Sequence, residues 1–144
     1  MSSSDIFSIT GSALNAQDMR MAAIASNLAN IDSITKPGTQ PYRAHEMLFQ
    51  GAQVADSNFN TGINAPDLGV QVVGTVQSNA QPVRTYDPGN PYADSSGYVT
   101  GSNVSQVDEM VNMIDSSNAY SASIAMLQQS SRLDQQMISS FQVT

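Results

Sequence analysis

The sequence predicts an α+β fold: long N- and C-terminal helices forming a coiled-coil-like pair, with a small β-rich middle segment between them. Three observations predict it. Residues 104–144 contain no Gly and no Pro, although the chain has 9 Gly and 6 Pro. Every Pro falls between residues 37 and 91, which sets the middle apart from both ends. Apolar residues at the two ends recur in narrow stripes, spaced for one helix to lie against another. The segments that follow are 1–34, 35–103 and 104–144, together one domain.

The first segment reads as a helix from Asp5 to about Asn30. Ser2, Ser3 and Ser4 offer N-caps, and the charge of Asp5 suits the first turn. Phe7, Leu14, Met21 and Leu28 recur every seven residues, with Ile24 and Ile31 on the complementary column. Thr10 and Gln17 fill that second column earlier, so the seam is apolar mainly on one side. Six alanines between 13 and 29 keep the helix thin, and Gly11 weakens it by about 1 kcal/mol relative to Ala.

Pro37, Gly38 and Pro41 break the helix. Tyr42–Gln50 reads as a strand, residues 51–68 as a long loop, and Gly69–Ser78 as a second strand with a bulge beside Gly74. Pro82–Tyr86 is a shorter strand. Asp87–Pro88–Gly89–Asn90 is a turn in which Pro sets φ and Gly is expected to supply a positive φ. Tyr98–Thr100 closes a small sheet, and Asn103 stands where the last helix needs an N-cap.

That last helix would be about 60 Å long. Its stripe runs through Met110, Met113, Ser117, Tyr120, Ile124, Leu127, Ser131, Asp134, Ile138 and Phe141. The stripe is too narrow for an ordinary core and asks for a long partner, which the first helix supplies.

Charged residues are only 12% of the chain, and its net charge of −7 is spread along it. Five scattered basic residues leave no nucleic-acid footprint. The absence of Cys excludes disulfides and thiolate metal sites. His45 is the sole histidine, so a histidine triad or a paired-histidine metal site has little to rest on. Asp87 and Asp94 lack the spacing of a calcium loop, and Gly62, Gly69 and Gly74 do not form a phosphate loop. Asp108 and Glu109 read as compensation of the helix dipole. The sequence therefore predicts a protein that is not an enzyme and takes no cofactor, metal, nucleic acid or small-molecule substrate. It shows no basic n-region with an apolar run behind it, so a cleavable signal peptide is not expected.

The run Ala25–Ser26–Asn27–Leu28–Ala29–Asn30 resembles a signature of the rod, hook and hook-associated axial proteins of the bacterial flagellum. Glu109–Met110–Val111 and Ser117–Asn118–Ala119–Tyr120–Ser121–Ala122 resemble their C-terminal helix. In the middle, Gln40–Pro41–Tyr42–Arg43–Ala44, Phe49–Gln50, Tyr86–Asp87–Pro88–Gly89–Asn90–Pro91, Ala93–Asp94 and Gly97–Tyr98–Val99 resemble the proximal rod subunits of that family. The resemblance implies a structural rod subunit that polymerises through its terminal helices and transmits torque. Its partners would be itself, other rod subunits and the flagellar export apparatus. Its place would be the basal body in the periplasmic space, reached without a cleavable signal. Phe7, Leu14, Met21, Ile24, Leu28, Met110, Tyr120, Ile124, Leu127, Ile138 and Phe141 would then carry subunit packing. The alternatives are a helical adaptor or secretion substrate that never polymerises, another flagellar rod subunit, or an enzyme resting on His45 alone.

Overall fold

A computed structural model describes residues 3–52 and 69–141, with the side chains of 3–5, Ala52 and Phe141 outside that description. The order of elements is helix α1 (Ser3–Ala29), strands β1 (His45–Ala52), β2 (Gly69–Gln77), β3 (Arg84–Tyr86) and β4 (Tyr98–Thr100), and helix α2 (Gln106–Phe141). Two long helices thus flank a small antiparallel β region. The end of α1 lies against the start of α2: Asn27 meets Glu109, and Arg20, two turns earlier, meets Asn112. The two helices therefore run in opposite senses.

The strands form two separate two-stranded sheets, not the single small sheet expected. The hairpin β1–β2 is antiparallel and lies along α1, where the Val70 N–H donates to Ser12 Oγ. Its register slips between Leu48, opposite Gly74, and Phe49, opposite Val72. The bulge beside Gly74 therefore occurs, with Val73 as the extra residue. The strand expected from Tyr42 begins only at His45, because Tyr42 and Ala44 bond Asn103 instead. The loop expected over 51–68 lies outside the described residues, except Gly51 and Ala52, which end β1.

The second hairpin, β3–β4, carries the turn at Asp87–Asn90, closed by a bond from the Asn90 N–H to the Asp87 carbonyl. Gly89 does not supply a positive φ. Gly97 does, at φ 79°, and a Cβ there would stand 2.9 Å from the Tyr86 ring. Asp94 organises this loop by accepting the N–H groups of Ser96 and Tyr98 and pairing with Arg84. An isolated bridge from Thr35 to Thr100 ties the hairpin to the chain leaving α1.

Asn103 does not cap α2. Its side chain accepts the Ala44 N–H at 2.7 Å and donates to the carbonyls of Ser78 and Ala80, so it staples three segments. The cap is Ser105, whose carbonyl accepts the Glu109 N–H and whose hydroxyl faces the Asp108 N–H. The apolar core is small: Ala16, Ala23, Ile24, Ala44, Val99 and Val104. Polar residues share it, namely Thr10, Asn27, Ser102, Glu109, Ser116 and Ser130. No helix among the described residues is long and apolar enough to cross a membrane.

Candidate subunit-packing surface

The end of α1 closes through two asparagines. Asn30 Nδ2 donates to the Ser26 carbonyl at 2.8 Å and takes up one of the acceptors a helix end leaves open. Asn27 turns inward and is 1% exposed. Its Oδ1 accepts the His45 N–H at 2.8 Å and the Tyr42 hydroxyl at 3.2 Å. Its Nδ2 donates to the His45 carbonyl at 3.0 Å and to Glu109 Oε1 at 3.1 Å. One amide side chain thus uses all four of its hydrogen-bonding positions and joins α1, β1 and α2. The Tyr42 hydroxyl also meets His45 Nδ1 at 3.1 Å and Ser26 Oγ at 3.3 Å. His45 is a member of this structural network.

Glu109 is 8% exposed, and its second oxygen, Oε2, is buried without a partner. Burial pushes its carboxyl above the ordinary 4.5, and Glu46 and Asp108 push the same way, while the Asn27 bond and Arg20 oppose. Among the described residues no group of three His, Cys, Asp or Glu side chains is placed to hold a metal ion.

Along α2 Glu109, Ser116, Ser123 and Ser130 form one buried or half-buried column and Met113, Tyr120, Leu127 and Asp134 another, with Asn112, Ala119, Ile124 and Ser131 half-buried beside them. The second column belongs to the predicted stripe. The first does not: hydrophobicity selected Met110, Ser117, Ile124, Ser131 and Ile138, one residue further round. Of these Met110 and Ile138 are 52% and 60% exposed and Ser117 is exposed, while Ile124 and Ser131 are half-buried. The small polar column lets the helices approach closely. On α1, Ile24 is in the core, Leu14, Met21 and Leu28 are half-buried, and Phe7 is exposed. Leu127 and Tyr120 are half-buried, and the Phe141 side chain lies outside the described residues.

The residues that sequence reasoning missed are Glu109 and Asn103 as partners across segments and Ser116 as a fully buried position. The signal available was the seven-residue recurrence of Glu109, Ser116, Ser123 and Ser130, which an apolarity scan discards.

Beyond Asp134 the helix has left its cover, and Gln135 to Ser140 are exposed on every side, Met137 and Ile138 included. Val107, Met110, Val111 and Ile114 form another exposed apolar group at the opposite end of α2.

The two segments that meet at Asn27 and Glu109 are also the two that match known families. Residues 7–35 match the family described as flagella basal body rod protein, and residues 95–140 match the flagellar basal body rod FlgEFG protein C-terminal family. Over 123 residues the chain is 45% identical to the flagellar basal-body rod protein FlgC of Escherichia coli O6:H1, covering 85% of this chain and 86% of the relative. The chain belongs to the FlgC family of flagellar basal-body rod proteins. Two further FlgC relatives give the same picture. The protein of Salmonella typhimurium is 46% identical over 123 residues, 85% of this chain and 86% of the relative. That of Buchnera aphidicola from Acyrthosiphon pisum is 39% identical over 129 residues, 88% and 89% of the two chains. Matches of 123 to 129 residues in a chain of 144 take in the middle segment as well as parts of both helices.

Proposed function

We propose that this chain is a structural subunit of the proximal part of the flagellar rod, polymerising through its terminal helices and passing torque along the assembly. The observation that carries this reading is the uncovered end of α2, where Met137 and Ile138 are exposed beyond the reach of α1. An apolar helix end held in water is unfavourable unless a partner covers it. The division into 1–34, 35–103 and 104–144 then has a functional sense. The two ends, as a coiled-coil-like pair, face neighbouring subunits, and the middle segment faces outward. Phe7, Met110, Ile138 and Phe141 meet other copies or other rod subunits, while Leu14, Met21, Leu28, Tyr120, Ile124 and Leu127 share their surface between the helix pair and its neighbours. The assembly stands in the periplasmic part of the basal body, and the chain reaches it through the flagellar export apparatus.

Deleting residues 135–144 tests the reading. The truncated chain is expected to be produced and exported but absent from isolated basal bodies, and swimming is lost. Basal bodies that contain the truncated chain at the normal level would overturn the reading.

A further inference from the structure

A groove of about 380 Å³ opens where the chain leaves α1 and enters α2. Ile31 and Val104 line it together with the exposed Ile34 and Val83. Two carboxylates, Asp32 and Asp87, line it too, and no basic residue does. Asp87 accepts a bond from Asn90, and among the described residues neither carboxylate is ion-paired.

The chain's basic residues are Arg20, Lys36, Arg43, Arg84 and Arg132. Arg20 reaches Asn112, Lys36 lies over the Tyr92 ring, Arg43 reaches Asn79, and Arg84 pairs with Asp94. Among the described residues Arg132 alone has no partner. It is exposed; Leu133 and Met137, one turn apart, share a face about 100° round the helix from it, and both are exposed as well. Arg132 lies about 39 Å along α2 from Gln106, so the tail of this helix cannot reach the groove of its own molecule.

We infer that the groove receives the end of α2 from a second copy of this chain, with Leu133 and Met137 on its apolar lining and Arg132 against Asp32 and Asp87. Apolar lining meets apolar face, and the one cation without a partner among the described residues meets two carboxylates that are not ion-paired there. Because groove and tail lie at opposite ends of the molecule, the contact is heterologous. Each addition leaves a free groove at one end and a free tail at the other. The inference rests on the assembly reading above and specifies which two surfaces meet.

The chain has no Cys, so Ile34→Cys and Leu133→Cys introduce thiols without competitors. A disulfide forms only where the Cα atoms come within about 7 Å. Oxidised basal bodies from the double variant are expected to give a ladder at multiples of the chain's mass, and either single variant alone none. As a second measure, Asp32→Arg or Arg132→Asp is expected to lower the chain recovered in basal bodies about tenfold. The two together are expected to restore it to within about twofold. If the wild-type chain is present in basal bodies but the ladder and the rescue both fail, the groove assignment is overturned and the rod reading stands. If the wild-type chain is absent from basal bodies, both are overturned. A cross-link from position 34 to a different protein gives the groove to that partner and overturns the inference.

Discussion

Asn27 concentrates more of this fold in one side chain than any apolar residue does. Asn27→Ala leaves the buried Glu109 Oε1 and both part-buried backbone groups of His45 without this partner. Urea denaturation is expected to show a loss of about 3 kcal/mol, far above the effect of an exposed helical Asn. Glu109 gives a pH signature. Its folded carboxyl, raised by burial, holds its proton more tightly than the unfolded chain does. Its contribution to stability is therefore fully present below about 4.5 and is lost as pH rises through the raised value. Glu109→Gln is expected to raise the urea midpoint at pH 7 and to lose that advantage at pH 4.5. Asp94 does not confuse the test. The backbone bond from Tyr98 chiefly lowers its carboxyl below 3.8, so its contribution falls away only at more acid pH. The importance of position 27 entered the sequence reading through a family motif and not through chemistry. An Asn between Ser and Leu on a helix reads as surface, and its partners lie 18 and 82 residues away.

At the scale of elements, both long helices and the four strands were legible, because Gly and Pro punctuate the middle and spare the ends. The bulge at Val73 was legible too, since a run of valines changes phase beside Gly74. The rotation of the α2 seam was not. Its buried column is serine at three of four positions, and no apolar count finds a seam made of small polar residues. Ser116 tests this column. It is 0% exposed and its hydroxyl has no partner. Ser116→Ala removes an unsatisfied group and improves helix propensity, so a gain of about 1 kcal/mol is expected. Ser116→Leu forces a branched side chain into the close approach of the helices and is expected to cost about 1–3 kcal/mol. Thermal or urea unfolding of the two variants side by side reads opposite signs. If Ser116→Leu is neutral, Ser116 does not lie in the seam.

For the molecule as a whole, the described surface is unusually apolar at both ends of α2, while the core is small and partly polar. Monomer stability should therefore owe little to the tail. The chain lacking residues 135–144 is expected to unfold within about 0.5 kcal/mol of the full chain, because exposed residues away from caps and networks contribute little. A large loss would mean that the tail is buried within its own subunit. The arrangement also sets an order of events. The bond between Asn27 and Glu109 spans 82 residues. Closing a chain over that distance costs about 4 kcal/mol of entropy before any constant term. Tyr86 and Tyr98, by contrast, are brought together by a short local loop. Local pairings form quickly and distant ones slowly. The β3–β4 hairpin is consequently expected to form first, and the bonds of Tyr42 and Ala44 to Asn103 shorten the remaining path. The meeting of the two ends, through Asn27 and Glu109, is expected to come last.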